Sequence, residues 1–338
     1  MAVYNGEPFV AEAIQRVLDQ SFGHFELVIV DDGSTDEAPR TLMSFADSRI
    51  RVITLESNVG RTLAFDRGLK EAKGEYVGFI GADDVVLPNW LAALLGVLDA
   101  DPKLDLVSCF MERVTVEGRR TGELVVGPEK HEDVVAGLLL GPNISHGGAI
   151  GRAAVLVPAG FTSPRWVAED YYLWAQLLLA GSRFSNVSEV FYLYRQHERQ
   201  VTRSEKPAMY EAHREIQGIL VDGLWPSATA EERAEIVEWL YWTFCVRQPS
   251  SVQDPMVMDR ALRVTRYLIE NRPDNVSEAV VQGWRQRTID QDLIAWGGRV
   301  SIGPLLGAAS EIPLRRLPRV LARSIGAFAR ANRPDSRA

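Results

Sequence analysis

Two observations predict an α/β fold built on a doubly wound, mixed and mostly parallel sheet flanked by helices. First, short apolar strands alternate with amphipathic helices through the first part of the chain. Second, two strands end in acidic or small residues, at Asp31-Asp32-Gly33-Ser34 and at Gly81-Ala82-Asp83-Asp84. Ligands of open α/β sheets bind beyond the carboxyl ends of the strands, so these positions predict a binding site.

Each predicted element follows from its local residue pattern. Phe9, Ala13 and Val17 recur at helical spacing and predict the first helix. Gly74 ends the third helix, and Pro88-Asn89 opens the fourth. The predicted helices are 8–18, 41–46, 59–72, 90–98 and 171–180, and the predicted strands are 25–30, 50–55, 76–80, 104–111 and one or two within 184–194.

Helical patterns replace the strand–helix alternation from about residue 205. The further predicted helices are 209–224, 230–246, 259–270 and 275–294. We therefore divide the chain into an α/β domain at 1–204, a helical region at 205–300 and a basic amphipathic tail at 301–338. In the tail, arginines alternate with apolar residues, although Pro318 interrupts the helical pattern.

Charge and composition exclude several classes of protein. The chain has 338 residues and a formal net charge of −8, which argues against a surface that binds nucleic acid. Cys109 and Cys245 lie in apolar segments and are expected to be buried free thiols. No spacing of cysteines and histidines predicts a zinc site.

The sequence contains neither a signal peptide nor an apolar run of the ~20 residues that span a bilayer. We therefore expect a cytoplasmic protein. The basic tail predicts peripheral contact with the anionic inner face of the cell membrane. A helix packed on the domain, with a frayed arginine-rich end, is the alternative.

Seven short motifs follow one another in order along the first part of the chain. They are Tyr4-Asn5-Gly6, Val30-Asp31-Asp32-Gly33-Ser34-Thr35-Asp36, Asn58-Val59-Gly60, Lys73-Gly74-Glu75-Tyr76, Ala82-Asp83-Asp84, Glu169-Asp170 and Tyr194-Arg195-Gln196-His197. Over residues 1–204 their order and spacing resemble the motif series of the family 2 glycosyltransferases. The resemblance implies a GT-A fold, a nucleotide-sugar donor, a divalent metal (Mn²⁺ or Mg²⁺) and inversion at the anomeric carbon.

The resemblance also assigns binding roles to five residues. Tyr4 would lie against the nucleobase, and Asp32 would accept a hydrogen bond from it. Asp83 would meet the ribose and Asp84 the metal, while His197 would reach the diphosphate or the metal. From the residues alone, the aspartates are equally compatible with turns or helix caps, and the histidine with an exposed loop.

For catalysis, the resemblance points to the Glu169-Asp170 pair. Asp170 stands where the family keeps its general base, and it could also cap the helix that follows. Glu169 and His146 are candidates for the acceptor side, and a structural loop position is the alternative for His146.

The chain departs from the family pattern in two places. Gly81 stands where the family often has an aspartate, which weakens the predicted metal site. Only Met1-Ala2-Val3 precede the Tyr4-Asn5 pair, so the first strand is truncated. A missing strand would leave backbone groups of its neighbours unpaired, at about 1–3 kcal/mol for each buried group.

The leading hypothesis is an inverting, metal-dependent hexosyltransferase. It would move a sugar from a nucleotide-sugar, expected to be a UDP-sugar, to a hydroxyl of a glycan or lipid-linked acceptor in cell-surface polysaccharide synthesis. The alternative is a catalytically silent GT-A scaffold that binds a nucleotide or a partner protein. A nucleotidyltransferase, which would release pyrophosphate, is the third hypothesis.

Overall fold

The computed structural model describes residues 1–163, 167–198, 200 and 205–245. Its sheet begins with three parallel strands, β1 (Ala2–Val3), β2 (Leu27–Asp31) and β3 (Ile50–Thr54), with β2 in the middle. Every residue of β2 is buried, as its unbroken apolar sequence predicts. Three helices follow these strands in turn, α1 (Val10–Leu18), α2 (Ala38–Ser44) and α3 (Arg61–Glu71).

The remaining strands form a mixed set in the spatial order β4-β8-β6-β9-β5, with β7 paired to β6. These strands are β4 (Tyr76–Gly78), β5 (Val85–Val86), β6 (Leu106–Val114), β7 (Arg120–Val125), β8 (Ile150–Arg152) and β9 (Phe184–Arg195). The further helices are α4 (Trp90–Ala100), α5 (His131–Leu140), α6 (Ala153–Ala159), α7 (Glu169–Leu179), α8 (Lys206–Leu224) and α9 (Ala230–Cys245).

A parallel bridge between Ala2 and Gly81 joins the two sets of strands. Both β4 and β6 pair antiparallel with β8, so they run in the same direction, and β9 is parallel to β6. The carboxyl ends of β1, β2, β4, β6 and β9 therefore share one edge of the sheet. Asp32, Asp83 and His197 follow strands at that edge, where a ligand is expected.

The first strand is as short as predicted, yet it is fully paired. Ala2 and Val3 stand opposite Val30 and Asp31 of β2. The N–H of Val30 donates to Met1 O at 2.9 Å, and the N–H of Asp32 donates to Val3 O at 2.8 Å. The expectation that neighbouring backbone groups would be left unpaired is therefore wrong for β2.

The sheet is mixed, as predicted, but it contains more antiparallel pairing than the strand–helix alternation indicates. Within the described residues, three strand pairs are parallel and four are antiparallel. The antiparallel pairs come from β5, β7 and β8, none of which the sequence pattern predicts. Strands of two or three residues carry no measurable period, and β7 is mostly exposed.

The hydrophobic core that supports the site edge lies between the sheet and two helices. The core face of α1 consists of Val10, Ala13, Ile14 and Val17. The core face of α4 consists of Trp90, Leu94 and Leu98, all at most 2% exposed. Burying each of these larger apolar side chains stabilises the fold by about 1.5–3 kcal/mol. Cys109 on β6 is buried and free, as predicted.

The chain separates into two units, Met1–Leu220 and Val221–Ala338. In the second unit, a capping box opens α9: Thr229 Oγ1 accepts from the N–H of Glu232 at 3.3 Å, and Glu232 Oε2 accepts from the N–H of Thr229 at 2.7 Å. The predicted helices at 259–270 and 275–294 and the basic tail lie outside the described residues. No helix in the described part of the chain combines the length and apolar character that crossing a membrane requires.

Candidate active site

Asn5 holds the loops after β1 and β2 together. Its N–H donates to Ser34 Oγ at 2.9 Å, and its Oδ1 accepts from the N–H of Thr35 at 2.8 Å. Asn5 has a φ of 51°, in the left-handed region that asparagine tolerates better than most residues. Beside it, Tyr4 is 50% exposed, so its ring is accessible to a ligand.

Asp32 binds the backbone immediately before α3. Its Oδ1 accepts from the N–H of Val59 at 2.7 Å, and its Oδ2 accepts from the N–H of Gly60 at 3.0 Å. Asp32 is only 2% exposed. Gly60 is the N-cap residue of α3 and has no side chain, and Asp32 holds the backbone of Gly60 and of the residue before it from another strand. Its predicted contact with the nucleobase stays a prediction.

Asp83 and His197 form a pair at the ends of β4 and β9. His197 Nε2 lies 2.9 Å from Asp83 Oδ2. The imidazole packs on the ring of Phe9 with centroids 5.3 Å apart. The Asp83 side chain is 34% exposed and that of His197 is 15% exposed. Carboxylate oxygen and imidazole nitrogen are both common metal ligands, and both remain within reach of solvent here.

Asp84, the predicted metal ligand, is turned into the protein. Tyr192 OH donates to its Oδ2 at 2.7 Å, and the N–H of Arg195 donates to its Oδ1 at 2.8 Å. Burial, reinforced by the charge of Asp83, raises the pKa of Asp84 well above its usual range. Asp84 thus fastens β9 to the loop after β4, and Asp83 is the accessible carboxylate of the two.

The arginine of the last motif is also structural. Arg195 is 2% exposed. Its Nε donates to Asp83 O at 2.8 Å, and its Nη2 donates to Glu12 Oε2 at 2.7 Å. The same guanidinium lies over the ring of Phe9, 5.0 Å from the centroid. It therefore holds the backbone beneath the Asp83–His197 pair.

Glu169 and Asp170 are the first two residues of α7. The preceding residue, Ala168, has φ 56° and ψ 31°, and this left-handed conformation costs a non-glycine residue about 1–2 kcal/mol. Asp170 Oδ1 accepts from the N–H of Tyr171 at 2.8 Å. Glu169 is fully buried at 0% exposed.

The pKa of Asp170 is raised from 3.8 to about 6. Burial is the largest cause, and the neighbouring Glu169 carboxylate adds to it. The charge of Arg61 and the backbone N–H bonds act in the opposite direction and lower the pKa. A carboxylate with a pKa near 6 is ionised at neutral pH and is more basic than an ordinary aspartate.

Arg61 is a charged residue of the site that the sequence patterns do not predict. Its Nη2 lies 2.6 Å from Glu169 Oε1. Burial opposes the charge of Arg61, but Glu169, Asp170 and Asp83 outweigh it and raise the pKa. A cation at the first residue of a helix is unfavourable for the helix dipole, and this is the sequence signal that could have singled it out.

His146 lies in an aromatic cluster, and its predicted place on the acceptor side stays a prediction. Its ring is 4.6 Å from that of Phe65 and 4.7 Å from that of Phe79, with Phe161 and Trp174 further out. Burial, together with the charge of Arg61, lowers the pKa of His146 to about 3, so it is neutral. His146 Nε2 is buried without a hydrogen-bond partner.

Among the residues that the structure describes, no group of three or more His, Cys, Asp or Glu could hold a metal ion. The Asp83–His197 pair offers two donors of suitable type. A divalent cation bound to phosphate commonly takes one or two protein ligands and completes its shell with phosphate oxygens and water. The residues therefore fit a metal that arrives with a nucleoside diphosphate.

Residues 1–156 match the model of the family described as glycosyl transferase family 2. Nearly half of the chain thus matches the glycosyltransferase family 2 model. The motif series that resembles this family is thus confirmed over residues 1–156, which include β1 to β8. The chain accordingly carries a glycosyltransferase domain.

Curated relatives of this glycosyltransferase domain carry related descriptions. An uncharacterized glycosyltransferase of Haemophilus influenzae is 27% identical over 60% of this chain and 66% of its own length. The Escherichia coli UDP-Glc:alpha-D-GlcNAc-diphosphoundecaprenol beta-1,3-glucosyltransferase WfgD is 28% identical over 53% of this chain and 68% of its own length. The putative teichuronic acid biosynthesis glycosyltransferase TuaG of Bacillus subtilis is 41% identical over 24% of this chain and 33% of its own length. The chain thus spans from a third to about two thirds of these relatives.

Solved structures show the same fold. Staphylococcus aureus TarS 1-349 in complex with UDP-GlcNAc superposes with a TM-score of 0.57 at 20% identity, over 87% of this chain and 88% of TarS 1-349. The complex of TarS 1-349 with UDP has a TM-score of 0.54 at 18% identity. The predicted GT-A fold is therefore confirmed.

Proposed function

We propose that the chain transfers a hexosyl group from a UDP-sugar to a hydroxyl group of a glycan acceptor, with inversion at the anomeric carbon. The observation that carries this proposal is the Asp170 carboxylate, whose pKa is raised to about 6 at the site edge of a GT-A sheet. An ionised, partly desolvated carboxylate is suited to take the proton of an attacking hydroxyl. Inversion needs one such base, on the face opposite the leaving group.

In the proposed reaction, the acceptor hydroxyl gives its proton to an Asp170 carboxylate oxygen. The hydroxyl oxygen forms a bond to the anomeric carbon as the bond from that carbon to the diphosphate oxygen breaks. The electron pair of the broken bond leaves with the nucleoside diphosphate. The site contributes by orienting the two reactants and by stabilising charge that develops in the transition state.

We propose Asp83 and His197 as the donor-side ligands, in place of the assignment of the metal to Asp84. Asp83 is the accessible carboxylate, whereas both oxygens of Asp84 accept hydrogen bonds within the protein. Mn²⁺ or Mg²⁺ bound there would neutralise the charge that develops on the departing diphosphate. Tyr4 would pack against the base of the nucleotide.

The acceptor is proposed to be a growing polysaccharide or a lipid-linked glycan at the cytoplasmic face of the membrane. The activity of WfgD supports this class, since WfgD acts on a sugar carried by diphosphoundecaprenol. The UDP-GlcNAc complex of TarS supports a UDP-sugar as the donor class. We retain the boundaries 1–204, 205–300 and 301–338 as a proposal and assign membrane contact to the basic tail.

The experiment is a screen of nucleotide sugars for release of nucleoside diphosphate that depends on an added glycan acceptor. We expect release with at least one UDP-sugar in the presence of Mn²⁺ or Mg²⁺. Calorimetry with UDP and Mn²⁺ accompanies the screen. Binding of UDP without any release would favour the silent scaffold, and release of pyrophosphate would favour a nucleotidyltransferase; either result contradicts the proposal.

A further inference from the structure

Glu169 is a fully buried carboxylate whose one close cationic neighbour in the described residues is Arg61. The two groups approach to 2.6 Å, but neither Glu169 oxygen has a hydrogen bond of normal geometry. Glu169 is 0% exposed, whereas the Arg61 side chain is 43% exposed. A buried carboxylate stays ionised only when a nearby charge compensates for its lost hydration. Arg61 supplies that charge.

The position of Arg61 is fixed by contacts at the carboxyl end of β2. Asp32, at the end of β2, binds the N–H groups of Val59 and Gly60 immediately before Arg61. These bonds set the first turn of α3, from which Arg61 reaches across to α7. One continuous chain of contacts therefore runs from Asp32 to Glu169 and on to its neighbour Asp170.

We propose that Arg61 is a positioning residue that keeps Glu169 and Asp170 ionised together, so that Asp170 is free to accept the proton of the acceptor hydroxyl. This inference rests on the proposed function. Two adjacent buried carboxylates without a cation retain one proton between them, because their like charges repel. With Arg61 in place, neither carboxylate needs to retain a proton.

Few other titratable groups in the described residues face this pair. Arg61 of α3 interacts with Asp83 and with the neutral His146. On the side of α8, His213 packs against Tyr171 with centroids 5.2 Å apart, and burial lowers the pKa of His213 to about 4. The titratable residues of α5 are all in its first turn, and α6 contains none. Arg61 is thus the principal cation acting on the pair.

Substitution of Arg61 separates a charge effect from a structural one. In R61Q, we expect the acidic limb of the kcat–pH profile to move upward by about one pH unit. Since the wild-type limb lies near pH 6, kcat measured at that pH falls about fivefold. R61K restores the charge and should restore the profile. R67Q is the matched control, because Arg67 lies on the same helix, is half exposed and pairs with Glu71.

A second readout does not require activity. Protein labelled with ¹³C at aspartate and glutamate carboxyl carbons is titrated by NMR, and the two signals are assigned with E169Q and D170N. In R61Q, we expect one carboxyl group of the pair to keep its proton above pH 7, and in R61K neither should. If wild-type protein shows no transfer, the proposed function fails, while this titration still tests the inference.

The inference is overturned if R61Q has the wild-type pH profile and the wild-type carboxyl titrations. It is also overturned if R61K loses as much activity as R61Q while the carboxyl groups of both variants titrate as in wild type. The role of Arg61 would then depend on the shape of its side chain and not on its charge. Circular dichroism of each variant confirms that it is folded before either comparison is made.

Discussion

Asp170 carries the chemistry of the proposed mechanism, and its surroundings predict how the rate depends on pH. The group is active only when ionised, and burial with the Glu169 charge raises its pKa to about 6. We expect kcat to rise with pH through about 6 and to level off above it. Steady-state rates at saturating donor and acceptor between pH 4.5 and 8.5 measure this. A kcat that is already constant from pH 4.5 upward would contradict the assignment of the base.

The same carboxyl group should make stability depend on pH. In the folded protein it holds its proton up to about pH 6, whereas in the unfolded chain it releases the proton near 3.8. The contribution of Asp170 to the free energy of unfolding is therefore present below about pH 4 and is lost as the pH rises through 6. We expect D170N to be more stable than wild type by about 2 kcal/mol at pH 8 and nearly equal to it at pH 4.

Urea unfolding of both proteins at the two pH values measures this difference. Asp19 is exposed at the end of α1, so D19N serves as the control and should show no such pH-dependent gain. A gain for D170N that is the same at both pH values would have to come from something other than the titration of Asp170.

The two aspartates after β4 should separate in mutagenesis, because one is accessible and the other is buried. D83A is expected to weaken binding of UDP with Mn²⁺ about tenfold or more, with little change in stability. D84A leaves Tyr192 OH and the N–H of Arg195 without their acceptor, at a cost of about 2 kcal/mol or more. Calorimetry and thermal unfolding of the two variants test this division. The reverse pattern would restore the metal to Asp84.

Helix α3 shows how one strand end organises a neighbouring element. Its N-cap residue is Gly60, and the Asp32 carboxylate accepts from the N–H groups of Gly60 and of Val59 before it. D32A should therefore lower the free energy of unfolding by about 1–2 kcal/mol and loosen the turn that carries Arg61. Urea unfolding measures the loss, with D19A as the exposed control. Wild-type stability of D32A would show that α3 does not depend on this cap.

The helices and long strands could be predicted from periodicity, but several boundaries and short strands could not. The structure begins α2 at Ala38 and not at 41, because Asp36 Oδ1 accepts from the N–H of Ala38 at 2.9 Å. It begins α3 at Arg61 and not at 59, because Asp32 takes up the two preceding N–H groups. Both causes are contacts to side chains outside the element, which no local pattern records.

The candidate site was predictable where a motif places a residue at a strand end. Asp83 and His197, which follow strands, lie 2.9 Å apart. Glu169, at the start of a helix, lies 2.6 Å from Arg61. The roles of these residues stay predictions. The motifs do not reveal which oxygen atoms are already occupied, so the roles of Asp84 and Asp32 could not be separated from a ligand role in advance. Arg61 was not predicted from the sequence because its partner, Glu169, is more than a hundred residues away along the chain.

In the molecule as a whole, the residues of the candidate site are arranged along one edge of the sheet. The strands β1, β2, β4, β6 and β9 end there in the same direction, although four of the seven strand pairs in the described residues are antiparallel. The Asp83–His197 pair, proposed for the donor side, and the Glu169–Asp170 pair, proposed for the base side, share the charge of Arg61. The proposed donor ligands and the proposed base are thus held in one fold, as a transfer between donor and acceptor requires.

The most direct test of this account is single-turnover sugar transfer by D170N with a donor found in the screen. We expect D170N to bind UDP with Mn²⁺ as wild type does and to lose at least a hundredfold in the rate of nucleoside diphosphate release with acceptor. D170E should retain part of the rate. Transfer by D170N at the wild-type rate would show that Asp170 is not the base.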